Sequence, residues 1–445
     1  MDKSQENNYH LDSSNIKNIS LKTILGNKKM NPNLKISVFI VSFYFLIYWL
    51  PQDLLYFPNN RWYFALGVAL FSFLLLRKPI EKISLNLFYL TFAFSFVGSI
   101  LSLIRSVNID VTLYNTVAFG ISLVTYLLFI PVLSTQLARK VILIAMIIIS
   151  FIWAIKIIEL LSNYSFLAYS TFASTGADKN AIGFRLALAA NIFFYLSLLG
   201  NIVRNSKKPI RFVLRFIFGF LGLLFLLFTT LIYARSALLS GIIGFLIIFY
   251  IFIIQSDNRT KVFKSVLILI ILFSGLAWIL PKIVAFSPYW NSIMDQLSTT
   301  GFQTFSTRLN LLDKGVFIIS QNPFIGVGIG GTKNSISYFN LYFPDYYIHN
   351  TYVSEWAEKG LFGIMMYLNW IFLYINLIRK KLTIINHIDR IWLLILLLVF
   401  INLFFLDSNS LAYFMLVIFI GLYSKYFSTE NNPRILTKIN PKMVK

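Results

Sequence analysis

The 445-residue chain is too apolar for a soluble protein, because 58% of its residues are hydrophobic and 13% are charged, against about 25% charged in an average soluble domain. A net charge of +22 alone would indicate a nucleic-acid partner. In a membrane protein, however, the positions of the basic residues determine what this charge means. The absence of cysteine excludes disulfides, thiolate catalysis, iron–sulfur clusters and cysteine zinc sites.

Apolar runs define the predicted architecture. Residues 1–33 are polar and lack the apolar core of a signal peptide, so we expect a disordered cytoplasmic tail. Twelve runs then approach the roughly 20 residues that a helix needs to cross a bilayer core, at 34–50, 62–76, 84–104, 111–134, 141–161, 183–203, 212–233, 237–254, 265–281, 361–378, 391–406 and 411–427. Because the backbone in lipid must satisfy its own hydrogen bonds, these runs predict an all-α membrane bundle.

Lys and Arg are distributed unevenly between alternate short loops. One set of loops carries seventeen of them: Arg77, Lys78, Lys82, Arg139, Lys140, Arg204, Lys207, Lys208, Arg211, Arg215, Arg259, Lys261, Lys264, Arg379, Lys380, Lys381 and Arg390. The other set carries five: Arg61, Arg105, Lys179, Arg185 and Arg235. Cytoplasmic loops hold an excess of Lys and Arg, so we expect both termini inside. Most of the charge is then a topology signal, and no nucleic-acid partner is expected.

One connection is much longer than the others. The predicted segments are transmembrane helices 1–9 at 34–281, a large outer loop at 282–359, helices 10–12 at 360–427 and a cytoplasmic tail at 428–445. The loop therefore lies outside and near the C-terminus, and the chain shows no two equal halves. Both features disfavour a carrier built from repeats.

Several arginines lie at the predicted outer ends of helices. These positions are exceptions to the rule that Lys and Arg concentrate in cytoplasmic loops. For Arg61 and Arg105 we favour snorkelling to the interface or pairing with a nearby acid. For Arg185, Arg235 and Arg308 we favour function, because an arginine in the membrane costs at least about 2.5–3.5 kcal/mol and few acids are available to pair with them. The planar guanidinium binds phosphate oxygens in pairs, so these three predict a diphosphate clamp.

A few other polar residues remain to be assigned. Lys156 and Glu159 stand three apart near the outer end of the fifth run, which predicts an ion pair within one helix. Of the three histidines, only His349 falls on the outer face, where an imidazole can accept a proton from a hydroxyl near pH 7. A single outer histidine, with loop acids that lack a tight ligand spacing, predicts no dedicated metal site.

Two features of the loop have structural interpretations beside functional ones. The string NPFIGVGIGG at 322–331 lacks the strand context and the GKS/T ending of a nucleotide site. It predicts a tight turn or close backbone packing, with amides available to an anion as a minor option. The aromatic residues of the loop, including YFNLYFPDYY at 338–347, suit either stacking on sugar rings or packing at the membrane interface.

The order of these motifs resembles the bacterial O-antigen ligase and polysaccharide polymerase family, over about residues 218–375. The first matching element is His349 and Asn350, followed after nine residues by Gly360 and Gly363, with Glu358 inside that gap. The second is the Arg-x-x-x-Leu pattern, which occurs at Arg235–Leu239 and at Arg308–Leu312. The others are the Pro-x-x-Gly-x-Gly element of Pro323, Gly326 and Gly328, and Asn180 leading to Arg185. Each piece alone is common, whereas their order on one predicted face is specific.

The resemblance implies a membrane glycosyltransferase that uses a glycan linked to undecaprenyl diphosphate, without a metal or another cofactor, on the outer face of a bacterial plasma membrane. His349, Arg308 and Arg235 would be catalytic: the arginines hold the diphosphate and the histidine acts as general base or orients the acceptor. Arg185, Asn350 and Glu358 would bind substrate. Glu358 would orient a partner group or cap a helix start.

Three functions stay open at this stage. The first is a polymerase that joins lipid-linked repeat units into capsule, exopolysaccharide or O-antigen. The second is a ligase that moves a finished glycan to a different acceptor, and the third is a carrier or flippase. The abundance of Ile, Asn, Lys and Phe is typical of an AT-rich genome and compatible with a Gram-positive source, which favours the polymerase. A polymerase would work beside a flippase and a chain-length regulator.

Overall fold

A computed structural model defines the fold for most of the chain. It describes residues 32–49, 61–76, 87–133, 135–163, 179–232, 234–254, 301–332, 348–381, 385–404, 415, 418–423 and 426. The ninth predicted span at 265–281, the aromatic run at 338–347, residues 1–31 of the predicted N-terminal tail and the predicted C-terminal tail lie outside these residues. Pro32 and Asn33, which were predicted to end the disordered tail, are the first residues of a helix. The described part is all-helical, which confirms the all-α part of the predicted fold class.

Thirteen α-helices make up the described part of the chain. They are α1 (Pro32–Trp49), α2 (Arg61–Leu76), α3 (Leu87–Leu101), α4 (Ile109–Leu133), α5 (Gln136–Asn163), α6 (Lys179–Leu199), α7 (Asn201–Asn205), α8 (Lys208–Leu231), α9 (Arg235–Ile254), α10 (Gly301–Gln321), α11 (Thr351–Lys359), α12 (Leu361–Lys381) and α13 (His387–Leu403). A 3-10 turn, Ser102–Arg105, extends α3.

Six of these helices are long and apolar enough to cross a membrane. They are α4, α5, α6 with its continuation α7, α8, α9 and α12. Two shorter apolar stretches, Ala65–Leu75 and Phe92–Arg105, lie in α2 and at the end of α3. The chain is therefore a multi-pass membrane protein, whereas the full number of twelve spans and their orientation remain predictions.

Helix α6 is the centre of the bundle. Of its most apolar stretch 83% is buried, against 33–44% in the other five spans, so α6 is covered by protein rather than by lipid. Small residues bring its neighbours close: Gly222 of α8 packs on Phe194, and Gly241 of α9 packs on Ala187. Close approach at small residues is the usual way that helices associate in membranes, where lipid gives no hydrophobic drive between them.

A buried polar network closes one end of the bundle. Arg139 at the start of α5 donates to Asp389 at the start of α13 over 2.8 Å, and both side chains are 0% exposed. The other oxygen of Asp389 accepts from the hydroxyl of Tyr426 and the amide of Asn386. Arg139 therefore has a structural partner in addition to the topology role expected from the sequence. We call this the basic end, because Arg204, Lys207, Lys208, Arg211 and Arg390 also lie there.

Two described helices, α10 and α11, occupy the predicted large loop at the opposite end. They pack on each other through a small apolar cluster of Ile318, Val327, Ile348 and Ala357. We call this the site end. It also holds the starts of α6 and α9, where Arg185 and Arg235 stand.

Candidate active site

His349 stands directly before α11, at a helix start that its neighbour fixes. Asn350 is the N-cap of α11, and its side-chain oxygen accepts a hydrogen bond from the backbone amide of Val353 over 3.1 Å. Such a cap satisfies one of the unpaired amides at the start of a helix. The predicted catalytic histidine is thereby held at a defined position, with an exposed side chain.

The glycine-rich segment packs on the other end of α11. The amides of Val327 and Gly328 donate to the carbonyls of Ala357 and Glu358 over 2.9 and 3.0 Å, and the indole of Trp356 donates to the carbonyl of Pro323 over 3.0 Å. Two motifs that are separate in the sequence therefore form one unit. The close backbone packing expected of the glycines is present, against α11.

Gly360 makes this contact possible. Its φ of 64° and ψ of −154° lie in a region that is essentially restricted to glycine. A Cβ at this position would run into the carbonyl of Phe324 in the glycine-rich segment. Gly363 is constrained in the same way, because a Cβ there would meet the carbonyl of Glu355. The glycines of the motif thus have a packing role that depends on the absence of a side chain.

Glu358 lies in the last turn of α11 and is buried. Its Oε1 accepts a hydrogen bond from the hydroxyl of Thr332 over 2.7 Å, and 4% of the residue is exposed. The carboxylate links α11 to the end of the glycine-rich segment, from inside the protein.

Arg308 is carried by α10, which packs against the start of α11. Gly315 of α10 lies against Ile348 and Val353, the residues on either side of His349 and Asn350. Arg308 is seven residues before Gly315, which is two helical turns or about 10 Å along α10. The helix contact therefore brings the segments of Arg308 and His349 together, and Arg308 itself is half-buried.

Arg185 and Arg235 belong to two helix starts that touch. Gly183 of α6 packs against Ala234 and Ala237, which bracket the first turn of α9. The guanidinium of Arg185 lies 6.0 Å from the centre of the Trp153 ring, and it is half-buried. An aromatic face stabilises a cation where water is scarce. The mouths of α6 and α9 thus form a second pair of arginine positions.

Helix α13 connects the two pairs. The hydroxyl of Tyr352, three residues after His349, donates to the carbonyl of Phe400 over 2.9 Å. Two residues earlier on α13, Leu398 packs against Gly244 of α9. Arg235 is nine residues from Gly244, about 13 Å further toward the site end. The four predicted residues Arg185, Arg235, Arg308 and His349 therefore belong to one end of the bundle.

The O-antigen ligase family model, Wzy_C, matches residues 218–368. This part of the chain is therefore similar to the O-antigen ligase family. The match contains Arg235, Arg308, His349 and both glycine motifs, and Arg185 lies before it. A search of curated proteins gave no match. Members of the O-antigen ligase family are membrane glycosyltransferases of polysaccharide biosynthesis that transfer lipid-linked glycans.

Several buried polar residues at the site end were missed in the sequence. Lys314 lies on the buried stripe of α10 with Leu311 and Ile318, and burial lowers its pKa. The spacing of three and then four residues puts this lysine on the apolar face, so helical periodicity was a usable signal. No local signal marks Thr332, because its partner Glu358 is 26 residues away.

Helix α11 also carries a buried ion pair. Lys359 contacts Glu355 over 2.7 Å with 2% and 1% of the side chains exposed, and its ammonium lies 4.1 Å from the ring centre of Phe119. This pair anchors α11 to α4.

The predicted ion pair of Lys156 and Glu159 is confirmed at 3.2 Å, with the glutamate half exposed.

Proposed function

We propose that the protein is a polysaccharide polymerase that transfers a glycan from undecaprenyl diphosphate to a hydroxyl of another lipid-linked repeat unit, on the extracytoplasmic face of the membrane. The observation that carries the proposal is the contact of α10 with α11, which brings the segments of Arg308 and His349 together at the end of the bundle that also holds Arg185 and Arg235. The family match supplies the reaction class.

In the proposed mechanism the acceptor oxygen attacks the anomeric carbon of the donor glycan. The bond from that carbon to the diphosphate oxygen breaks, and undecaprenyl diphosphate leaves with the electron pair. The acceptor proton passes to the imidazole of His349, the general base, which is typically worth 10²–10⁴-fold in rate. Direct attack opposite the leaving group inverts the anomeric centre.

Charge develops on the diphosphate as this bond breaks, and the arginines have the matching chemistry. Arg308 and Arg235 are proposed to bind the diphosphate oxygens, with Arg185 as a third cation at the same end. Cations that are fixed before the reaction stabilise the departing charge without reorganisation in the transition state. The buried Thr332–Glu358 bond and the Asn350 cap hold α11, and with it His349, in position.

A ligase that transfers a finished glycan to a different acceptor uses the same chemistry and is the second candidate. One experiment separates the two: the purified full chain in detergent is incubated with an undecaprenyl-diphosphate oligosaccharide alone, and the products are run on a gel. A ladder of multiples supports the polymerase. Transfer that requires a distinct added acceptor supports the ligase.

The mechanism is tested with His349→Ala and Arg308→Ala, which we expect to abolish transfer with unchanged membrane insertion. The chain offers a matched control for each. His387→Ala removes a histidine at the basic end, and Arg105→Ala removes an exposed arginine at the site end. Both controls are expected to transfer at the wild-type rate. Transfer that survives both His349→Ala and Arg308→Ala would overturn the proposed mechanism.

A further inference from the structure

The glycine-rich segment at 322–331 lies between the first residues of two membrane-crossing helices, α4 and α12. The carbonyl of Phe324 accepts a hydrogen bond from the amide of Leu361, the first residue of α12, over 3.3 Å. On the other side, the amide of Val107 donates to the carbonyl of Val327 over 3.2 Å, just before α4 begins at Ile109. The segment therefore bridges the starts of both helices.

The contacts with α4 give the level of the segment along the bundle. Gly328 faces the side chain of Thr112, and the carbonyl of Ile329 accepts from the side-chain amide of Asn115 over 3.2 Å. Asn115 lies about 9 Å along α4 from its first residue. The same turns carry large apolar side chains on another face, with 52–68% exposed: Ile109, Leu113, Tyr114 and Val117. The segment thus lies beside a part of α4 whose outer side is apolar.

Helix α12 gives the same level from the opposite side of the segment. Its exposed apolar side chains recur at steps of three and four residues, so they form one stripe along the helix. They are Leu361, Met365, Leu368, Phe372 and Ile375, with 38–60% exposed. In a helix long and apolar enough to cross a membrane, an exposed stripe of this kind faces lipid. The stripe begins at Leu361, the residue that is bonded to Phe324.

Phe324 lies at the end of this stripe and is 68% exposed. Helix α3 adds to the apolar surface there, because Gly98 packs on Phe362 and the rings of Phe94 and Phe362 lie 6.1 Å apart. Phe94 is itself 40% exposed. The lipid-facing surface of α3 and α12 therefore continues onto the glycine-rich segment.

The backbone of the segment is suited to this position. Irregular backbone at membrane depth is tolerated only where the protein satisfies its polar groups. Protein groups bond the amides of Gly326, Val327, Gly328 and Gly331 and the carbonyls of Asn322, Pro323, Phe324, Val327 and Ile329. These backbone groups need no water, so the segment can lie below the level of the headgroups.

We propose that the glycine-rich segment enters the leaflet at the site end and that Phe324 contacts the acyl chains of the bilayer lipids. The continuity with the stripe of α12 identifies lipid as the partner. The segment also holds α11, through the amides of Val327 and Gly328. It thereby fixes the helix that follows His349 at the membrane surface.

The test measures the depth of position 324 in a bilayer. Because the chain has no cysteine, Phe324→Cys can be labelled at one place with a nitroxide in the full chain. The labelled protein is reconstituted in vesicles of phosphatidylcholine and phosphatidylglycerol. Collisions of the label with O₂, which concentrates in hydrocarbon, are compared with collisions with a nickel chelate, which stays in water.

Two positions on α12 provide the reference values. Leu368→Cys places the label in the middle of the exposed stripe, and Lys380→Cys places it at the charged, exposed far end of the helix. We expect the ratio of O₂ to nickel collisions at position 324 to be closer to the value at Leu368 than to the value at Lys380. Leu361→Cys, which leaves the segment unchanged, is expected to give the same result.

A ratio closer to that of Lys380, at position 324 or at position 361, overturns the proposal. So does a low collision rate with both reagents at position 324, because it would show that protein, such as a second copy of the chain, covers the segment. The unfolding temperature of each labelled variant is compared with that of the wild type to check that it is folded. The measurement needs no glycan donor, so its outcome is separate from that of the transfer assay.

Discussion

Gly360→Ala tests whether the glycine-rich segment positions α11 for catalysis. The native φ of 64° and ψ of −154° cost about 1–3 kcal/mol for any residue other than glycine. In addition, the new Cβ would overlap the carbonyl of Phe324, which accepts from the amide of Leu361 over 3.3 Å. The new Cβ is fixed to the backbone of the α11–α12 junction, and the carbonyl belongs to the backbone of the glycine-rich segment. The overlap can therefore be relieved only if the segment or the junction moves.

We expect this displacement to reduce glycan transfer about a hundredfold, since a misplacement of about 1 Å at a reacting group has an effect of that size. Transfer is measured on gels and stability by thermal unfolding in detergent. Gly67→Ala is the matched control: no atom lies within 4 Å of the added Cβ on α2, and better helix propensity should stabilise the chain by up to about 1 kcal/mol. Gly360→Ala with transfer within threefold of wild type would refute the positioning role.

Three further substitutions test the packing of the two ends. Asp389→Asn leaves Arg139 charged and buried, which should destabilise the chain by about 3–5 kcal/mol in thermal unfolding. The double variant Arg139→Met/Asp389→Leu removes both charges and should recover most of that stability. Equal destabilisation of the single and the double variant would contradict the argument that the unpaired buried charge causes the loss. Thr332→Val removes the hydrogen bond to the Glu358 carboxylate, worth about 1.5–3 kcal/mol, and should lower both stability and transfer. Lys156→Ala breaks a partly exposed ion pair, so a change above about 0.5 kcal/mol would be unexpected.

Features that depend on neighbours along the chain could be predicted from the sequence. The apolar runs predict helices because the backbone in lipid has no other partner, and the described part of the chain is all-helical. The Lys156–Glu159 pair was predictable because three residues span one helical turn. The motif of His349, Asn350, Gly360 and Gly363 indicated the similarity to the O-antigen ligase family, but its spacing does not reveal that Asn350 caps a helix.

Features that depend on distant residues were beyond the sequence. Arg139 appeared as one of seventeen topology charges, because its partner Asp389 is 250 positions away. In the same way, the contact of Gly183 with Ala234 joins two helix starts that no pattern connects. The sequence predicts which residue types a diphosphate site requires, whereas the packing of α6 against α9 determines which arginines are neighbours.

The burial of α6 has a consequence for biogenesis. Asn191, at its centre, is 0% exposed and donates both to its own helix at Ala187 and to the carbonyl of Gly241 in α9. During synthesis α6 enters the bilayer before α9 exists, so the side-chain amide of Asn191 cannot donate to the carbonyl of Gly241 until α9 has been inserted. Leu398 of α13 then covers the same place at Gly244. The helix that carries Arg185 is synthesised in the first half of the chain, yet it reaches its final surroundings only when nearly the whole chain has been made.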